Sequence, residues 1–532
     1  MKNSRTTSSG AIGATMANPA VSAMEQSAAL AFQNWLLRVA VLTGGAAVMV
    51  VEILGSRILA PTFGTTLHVW TALITVTLAA LATGYALGGR LADQRPRFAT
   101  LAAVFAIAAG ALLLSQAMTR PVLAMTYGMG LVGGTFMSAI LLFFPALFLM
   151  GMISPLVVRL SADQQHLGRS VGNLYALSTV GSVAGSLAVS LLLIPHFSVH
   201  VIIAITAAAL GLIPLVWYFT ARKTVPGVLL ALALALGATL TVIAGEEANQ
   251  EITYRGTTYR VLEREHSSYG DLAICETGST RLMFLNGINQ GSIAGNFAAA
   301  NYAWSLTRVV TAGGMPKNVL IWGLGPGLIA RMLSEAGARV TAIEIDPACV
   351  NMARKHFGLP GKVNVITGDA RTETTRLTDK YDAIILDAFG GDSPPFHLLT
   401  REAFEGLKSH LTPGGVLVCN VVGGIQGLAA RAPASVIATM EGVFGKSVVF
   451  APNAESFKAN PQDYVSTLLL ATGNVPEQPV AYPLNMPPER RAFVDQVFGT
   501  KVTLPRENAV VLTDAYAPID AWSDAAVKAF RY

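Results

Sequence analysis

Apolar positions are distributed differently in the two halves of the chain. The first half contains seven long apolar stretches with few charged residues, at 39–60, 67–89, 98–118, 121–158, 170–194, 200–220 and 226–245. A helix needs about 20 residues to cross roughly 30 Å of hydrocarbon, and the fourth stretch would measure about 57 Å as one helix. Dividing it at Gly133-Gly134 predicts eight membrane-spanning helices within residues 36–245, after a Ser-, Ala- and Thr-rich disordered tail over residues 1–35.

In the second half the apolar segments are shorter, and their spacing is that of a protein built from strands and helices. Between residues 246 and 306, alternating apolar positions and the turn Asn286-Gly287 predict the hairpins of a small β-rich subdomain. From 307 to 532, apolar runs alternate with helical segments, which predicts a largely parallel sheet. Its strands are expected at 318–322, 339–343, 363–366, 382–387 and 416–420.

Small and ionisable residues within the first half carry further predictions. Glu52 and Arg57 lie in or at the end of the first span, where ionisable groups are costly and pair internally or serve a function. A pocket for a cationic ligand and a structural role are both open for this pair. Small residues at a spacing of four predict close helix packing, at Gly84, Gly88, Gly89, Gly181 and Gly185.

Composition agrees with a membrane protein and excludes some partners. Apolar residues make up 52% of the chain and charged residues 13%, against about 25% charged in average soluble proteins. The net charge of +5 is not arranged as a basic stripe with interleaved aromatic residues, so nucleic acid is not an expected partner. The three cysteines have neither metal-ligand spacing nor the pattern of a disulfide framework, so no metal is expected.

Residues at the ends of the predicted strands indicate a nucleoside site. Gly323 and Gly325 belong to a glycine turn after the first strand, and Glu344 ends the second strand about 20 residues later, where an acid can bond ribose hydroxyls. Asp369 and Ala370 end the next strand, at a position suited to an adenine amino group. Because open parallel sheets bind ligands at the carboxyl ends of their strands, these residues are expected to converge.

Asp387 ends the fourth strand and is the candidate general base. A carboxylate at this place could take a proton from an attacking amine. His397 follows the loop of glycine, serine and proline at 390–395 and could face the same site, although a histidine before a helix more often caps or packs.

With these residues in view, the second half resembles the spermidine synthase (polyamine aminopropyltransferase) family. The whole chain resembles the membrane-fused bacterial branch of that family. The resemblance is carried by segments of both halves, at 52–57, 84–85, 88–93, 172–175, 387–393, 397–400 and 512–518.

The resemblance implies a fold and an activity. The fold is a β-rich N-terminal subdomain followed by a Rossmann-like methyltransferase-type domain. The activity is transfer of an aminopropyl group from decarboxylated S-adenosylmethionine to a di- or polyamine, with release of methylthioadenosine. Asp387 would then be the base near the amine, Glu344 would hold the ribose, and Asp369 and Ala370 would hold the adenine.

The resemblance also assigns residues beside the acceptor. Tyr269 and Gln290 match the family's Tyr and Gln next to the donor and the acceptor. Tyr302 matches the Tyr of its Tyr-His-Glu motif, and Asp392 is the second acid of a lengthened Asp-x-x-Asp pair.

Departures from the family pattern leave the acceptor and the form of the donor open. Pro326 stands where the family's glycine turn carries an acid that contacts the aminopropyl amine, and Ala303 and Trp304 replace the His and Glu of Tyr-His-Glu. Gly270 stands where Gln often follows the Tyr. One alternative is a methyltransferase that uses S-adenosylmethionine. Another is a polyamine transporter or sensor with a regulatory nucleoside-binding domain.

Orientation in the membrane is contradictory at the level of sequence. Basic residues favour the cytoplasm, and those near the predicted spans suit seven spans with the C-terminal half outside: Arg90, Arg95, Arg97, Arg159, Arg169, Arg222 and Lys223. The cofactor is a cytosolic metabolite, which requires eight spans. We expect a multi-pass protein of the bacterial inner membrane with its catalytic part in the cytoplasm. The lipid bilayer and a di- or polyamine are its expected partners, and a homodimer is left open.

Overall fold

Two structural halves divide the chain where the apolar pattern changes. The computed structural model describes residues 19–220, 237, 240 and 250–522, apart from 65–66, 162–165, 255, 390–394 and 461–463. The helices before residue 221 form what we call the helical half: α1 (Pro19–Phe63), α2 (Leu67–Gln94), α3 (Phe98–Thr126), α4 (Gly130–Gly151), α5 (Ile153–Ser161), α6 (Leu167–Ala188) and α7 (Val199–Thr220). We call the strands and helices from Glu251 onward the sheet half.

Length and composition would allow parts of the helical half to cross a bilayer. Within the described residues, five helical stretches are long and apolar enough: Leu30–Phe63, Leu67–Gln94, Phe98–Ser161, Leu167–Leu193 and Val199–Thr220. The last of the predicted spans, 226–245, lies outside the described residues except for positions 237 and 240.

The sequence prediction was wrong about two boundaries in the helical half. Helix α1 begins at Pro19, so residues 19–35 are helical rather than part of a disordered tail. The chain does not fold back at Gly133-Gly134, because it turns earlier, at Tyr127–Met129, before Gly130 with a φ of 77°. The stretch 121–158 therefore does not supply two spans of its own, because its first residues belong to α3 and most of the rest to α4.

Glycines permit the close helix packing that their spacing predicts. A Cβ on Gly84 of α2 would lie 2.4 Å from the carbonyl oxygen of Phe148 in α4. A Cβ on Gly181 of α6 would lie 2.2 Å from the carbonyl oxygen of Leu42 in α1. Gly88 and Gly185 make similar backbone approaches, whereas Gly89 has no described atom within 4 Å of its Cβ position.

An antiparallel sheet begins the sheet half. Its six strands are paired in chain order: β1 (Glu251–Tyr254), β2 (Thr257–His266), β3 (Asp271–Thr277), β4 (Thr280–Leu285), β5 (Ile288–Ala294) and β6 (Phe297–Ala298). The turn between β4 and β5 contains Asn286 and Gly287 with φ values of 51° and 78°. Positive φ at both central residues is the geometry of a tight hairpin turn, which confirms the hairpin predicted there.

A second sheet follows helix α8 (Asn301–Val310) and is mostly parallel. Its strands are β7 (Asn318–Trp322), β8 (Arg339–Glu344), β9 (Asn364–Thr367), β10 (Tyr381–Leu386), β11 (Leu411–Gly423), β12 (Ser447–Phe450), β13 (Ser466–Gly473) and β14 (Lys501–Val502), in the order β14-β12-β13-β11-β10-β7-β8-β9. Strands β7 to β11 are parallel, and β12, β13 and β14 join antiparallel. The five predicted strands are confirmed, with β11 longer than expected.

Helices cover the parallel strands on both faces. They are α9 (Leu328–Glu335), α10 (Pro347–Phe357), α11 (Ala370–Thr374), α12 (Arg401–His410), α13 (Arg431–Phe444), α14 (Ala454–Ala459), α15 (Pro488–Gln496) and α16 (Ile519–Trp522). The strand order reverses between β10 and β7, because β8 lies on one side of β7 and β10 on the other. Ligands of open α/β sheets bind at such a reversal, outside the carboxyl ends of the strands.

Candidate active site

A cavity of about 290 Å³ lies at this reversal point, between the carboxyl ends of the parallel strands and the antiparallel sheet. Nine of the ten residues predicted for the site line it: Tyr269, Gln290, Tyr302, Gly323, Gly325, Glu344, Asp369, Ala370 and Asp387. The tenth, Asp392, lies outside the described residues. Strand ends that are distant in sequence therefore meet where the pattern of strand-terminal residues predicts.

The glycine turn after β7 is required by a close approach of two strand ends. Gly323 has a φ of 89°, and a Cβ at this position would lie 2.3 Å from the carbonyl oxygen of Asp387. Gly325 has a φ of 52°. Side chains with a Cβ rarely adopt these backbone angles, so the turn can bring Asp387 next to the first strand only with glycine at Gly323.

Glu344 fastens the glycine turn to the end of β8. One of its carboxylate oxygens accepts a hydrogen bond from the backbone N–H of Leu324 at 2.9 Å, and the other accepts from Asp346 N–H at 3.0 Å. Burial raises the pKa of Glu344, and these backbone donors oppose that rise. A carboxylate has about four acceptor positions, so Glu344 retains the capacity to accept from a ligand hydroxyl.

Asp369 is held by its own helix and by His397. Its side chain caps α11 by accepting from Thr372 N–H at 2.9 Å, and it accepts from His397 Nε2 at 2.8 Å. Burial tends to raise the pKa of Asp369, but the hydrogen bonds from His397 and Thr372 outweigh it and leave the pKa below its usual value. His397 itself lines the cavity. Of the two sequence interpretations, a residue that faces the site and a residue that caps or packs, the structure favours the first.

The loop that carries His397 is anchored by an ion pair that sequence reasoning missed. Arg371 donates to the His397 carbonyl oxygen at 3.1 Å and to both carboxylate oxygens of Asp514 at 2.7 Å. Thr400 also donates to Asp514, at 2.8 Å. These bonds join α11, the segment before α12 and the C-terminal region around one wall of the cavity.

Asp387 is a carboxyl group with a single hydrogen-bond donor in the described structure. Asn420 Nδ2 donates to it at 2.7 Å. Burial raises the pKa of Asp387 to about 6, although the hydrogen bond from Asn420 opposes that rise. Tyr302 faces the same region and donates to the Gln290 carbonyl oxygen at 3.3 Å. Burial, with a smaller effect from Asp387, raises the pKa of Tyr302 well above its usual value.

Asn420 is the cavity residue whose importance was missed. It is buried on β11, and its amide oxygen has no hydrogen-bond partner among the described residues. It occupies the end of the strand predicted at 416–420, next to β10, which ends one residue before Asp387. The sequence signal that would have found Asn420 is its position at the carboxyl end of the fifth predicted strand, since parallel sheets bind ligands at these ends.

The ionisable side chains that line the cavity are mostly acidic. Four carboxylates line it, those of Glu344, Asp346, Asp369 and Asp387. No Lys or Arg is found among the described residues that line it. Clefts lined by one sign of charge concentrate ligands of the opposite sign, so the cavity favours cationic ligands. In the described part of the chain, no group of three or more His, Cys, Asp or Glu residues is placed to hold a metal ion.

Comparison with known proteins finds a matching family model within the sheet half, and similar proteins that are named polyamine aminopropyltransferases. Residues 319–415 match the model of a methyltransferase domain. The chain is 28% identical over 361 residues to Polyamine aminopropyltransferase 1 of Streptomyces coelicolor, which covers 59% of this chain and 66% of that protein. It is 40% identical over 112 residues to the polyamine aminopropyltransferase of Vibrio vulnificus, which covers 20% of this chain and 38% of that protein.

The alignments are partial. The chain spans less than two thirds of the length of these curated relatives. Among solved structures, the spermidine synthase of Thermotoga maritima aligns with 48% of this chain and 91% of its own, at 17% identity and a TM-score of 0.35.

Proposed function

We propose that this chain, which is spermidine synthase-like at the family level, transfers an aminopropyl group from decarboxylated S-adenosylmethionine to a di- or polyamine. The observation that carries the proposal is the position of Asp387. This carboxyl group has a pKa raised to about 6 and lies in one cavity with the strand-end residues suited to a nucleoside. At neutral pH it is mostly ionised and can accept a proton.

The reaction needs few groups from the protein. The amine nitrogen attacks the carbon next to the sulfonium, a C–N bond forms, and the C–S bond breaks with its electrons passing to sulfur. Methylthioadenosine leaves without needing a proton. The amine must lose a proton, which Asp387 accepts. Positioning of the two reactants in line with one general base is therefore sufficient for substantial rate acceleration.

Asn420 is proposed to contact the attacking amine in addition to Asp387. Its Nδ2 donates to Asp387, which leaves the amide oxygen directed elsewhere and without a partner among the described residues. A buried amide oxygen without a partner is unfavourable. An N–H of the attacking amine would supply the missing bond and would hold the amine beside the base.

The charge of the cavity supports a decarboxylated donor. That donor ends in an ammonium group, whereas S-adenosylmethionine carries an additional carboxylate. Among carboxylates and without a described Lys or Arg, the ammonium is favoured and the carboxylate is repelled. Glu344 is proposed to hold the ribose, Asp369 and Ala370 the adenine, and Tyr269, Gln290 and Tyr302 the aminopropyl group and acceptor. Asp392 is proposed for the acceptor from the sequence resemblance alone.

Methyl transfer is the second candidate. It is favoured by the match of residues 319–415 to a methyltransferase domain. It is also favoured by Pro326, which replaces the expected acid and packs its ring against Gly291, with Cγ 2.7 Å from the position of a Gly291 Cβ. In this case S-adenosylmethionine would be the donor and S-adenosylhomocysteine the product.

Product analysis tests the proposal. The full-length protein in detergent is incubated with either donor and a di- or polyamine, and nucleoside products are identified by mass spectrometry. We expect methylthioadenosine from the decarboxylated donor, and a rate at least about 100-fold lower in Asp387→Asn, because a general base contributes roughly 10²- to 10⁴-fold. The matched control is Asp379→Asn, an exposed acid just before β10. S-Adenosylhomocysteine as the product, or a fully active Asp387→Asn, would refute the assignment.

The helical half is proposed to lie in the membrane. The sheet half would then lie on the side opposite to most arginines of the helical half. Helix α2 begins next to the end of α1 and has 28 residues, a length of about 42 Å. Its far end carries Arg90, Arg95 and Arg97, and Asp93 there pairs with Arg159 at 3.7 Å. Arginine-rich ends favour the cytoplasm, which favours the non-cytoplasmic side for the cavity. The donor would then have to be available on that side.

A further inference from the structure

The end of helix α1 contacts a loop that forms one wall of the cavity. Arg57 Nη2 donates to the carbonyl oxygens of Ser267 and Ser268, both at 3.1 Å. The loop between β2 and β3 contains both serines, together with Tyr269, which lines the cavity. A residue of the helical half therefore holds the backbone directly before a predicted substrate-binding residue.

Ser267 organises this loop and connects it to the nucleoside side of the cavity. Its hydroxyl oxygen accepts from the backbone N–H groups of Tyr269 at 3.0 Å and Gly270 at 3.1 Å. It donates to a carboxylate oxygen of Asp346 at 2.6 Å. Asp346 N–H in turn donates to Glu344, which binds the glycine turn through Leu324. A continuous series of hydrogen bonds thus runs from Arg57 to the glycine turn.

A second contact places the same helix end against the neighbouring hairpin. A Cβ on Gly287 would lie 3.4 Å from Pro61 Cβ and 3.5 Å from Pro61 Cα, so the turn between β4 and β5 sits on the end of α1. The residues that flank this turn, Leu285 and Ile288, line the cavity. Both loops of the antiparallel sheet that form the wall opposite the parallel strands therefore rest on α1.

We propose that Arg57 is a positioning residue for the proposed transfer reaction, and that the helical half is a structural part of the acceptor wall. Tyr269 is 50% exposed and has little packing of its own to fix it. The guanidinium of Arg57 has several donors in a rigid planar arrangement, which suits it to hold two adjacent carbonyl groups. Fixing these carbonyls fixes the direction in which Tyr269 leaves the loop. The inference rests on the proposed function only for its kinetic consequence.

The kinetic test compares Arg57→Gln with Arg90→Gln, an arginine at the far end of α2. Loss of hydrogen bonds from a charged donor is expected to raise the acceptor KM about tenfold in Arg57→Gln, with kcat within about twofold of the unmodified protein. Arg57→Lys should restore only part of the loss, since an ammonium keeps the positive charge but lacks the planar arrangement of donors. In a Tyr269→Ala background, Arg57→Gln should add little. An equal effect in both backgrounds, or no difference from Arg90→Gln, would overturn the proposal.

Hydrogen–deuterium exchange tests the link without relying on any activity. In Arg57→Gln, the backbone amides of Tyr269 and Gly270 should exchange about tenfold faster, because their acceptor Ser267 is less firmly held. Peptides from β8 serve as the internal reference. Unchanged exchange in the 267–270 segment would contradict the inference, even if the protein is an active aminopropyltransferase. Faster exchange in a protein that lacks aminopropyl transfer activity would instead refute the proposed function and support the contact between Arg57 and the 267–270 loop.

Discussion

Asp387 and Asn420 form the pair on which the proposed chemistry depends. The Asp387 carboxyl group has a pKa of about 6 because burial disfavours its charged form, and the hydrogen bond from Asn420 limits the rise. A base that must be ionised loses activity as pH falls through its pKa. We therefore expect kcat/KM to decline below about pH 6.

Removing the Asn420 amide should move the fall of kcat/KM to higher pH. Asn420→Leu keeps the approximate size of the side chain but removes the donor that favours ionised Asp387. The pKa of Asp387 should rise, so the inflection of the pH–rate profile should shift above 6, together with a loss of kcat. An inflection that stays in place or moves downward would show that Asn420 does not tune this carboxyl group.

At the residue scale, the sequence predicted which side chains would meet in the cavity where a candidate residue lies at or just after the end of a strand. Glu344, Asp369 and Asp387 all end or follow strands of the parallel sheet, and the geometry of such a sheet brings these positions together. Asp346, Arg371 and Asp514 act through hydrogen bonds to other residues of the cavity wall. Their roles depend on distances across the fold, which no local pattern in the sequence encodes.

At the scale of elements, Glu344 connects the turn after β7 to the end of β8. Glu344→Gln would replace one of two acceptor oxygens by an amide donor that faces a backbone N–H. We expect a loss of about 1–3 kcal/mol in the free energy of unfolding, together with weaker binding of methylthioadenosine. Thermal unfolding and calorimetry would measure the two effects.

The matched control for Glu344→Gln is Glu335→Gln at the end of α9, where the glutamate pairs with Arg331 on a more exposed surface. Surface pairs contribute about 0–1 kcal/mol. If both variants lose the same stability and retain nucleoside binding, Glu344 has no special role in holding the turn.

Strands were easier to predict than the turns between apolar helices. The parallel strands β7, β8 and β10 are short, mostly buried and bounded by polar or glycine-containing segments, so their sequence alone marks them. In the helical half, Gly134 lies inside α4 and serves packing, since a Cβ there would fall 2.6 Å from the ring of Phe63. The actual turn at Tyr127–Met129 has no comparable polar signal. Glycines used for packing and glycines used for turning look the same in a sequence.

At the scale of the whole molecule, the proposed insertion of the helical half in a membrane can be tested together with the side on which the cavity would then lie. The sheet half rests on the end of α1 that carries Arg57 and Pro61, while Arg90, Arg95 and Arg97 lie at the other end of the bundle. We expect a C-terminal alkaline phosphatase fusion to be active and a C-terminal green fluorescent protein fusion to be dark.

Fusions after residue 96 serve as the control for this topology, since they should report the cytoplasm. A fluorescent C-terminal fusion would contradict this orientation. It would place the cavity in the cytoplasm, the location expected from the cytosolic origin of the donor. The sequence could not settle this point, because the choice between seven and eight spans depended on whether 121–158 forms one crossing or two. Contacts between the halves, such as Arg57 with Ser267, are separated by 210 positions and have no local pattern.

The most direct test of the account is calorimetric comparison of donor binding to the full-length protein in detergent. Because the cavity is lined by four carboxylates and by no described Lys or Arg, decarboxylated S-adenosylmethionine should bind at least about tenfold more tightly than S-adenosylmethionine, a difference of about 1.4 kcal/mol. Equal or tighter binding of the carboxylated donor would contradict this account and would favour methyl transfer.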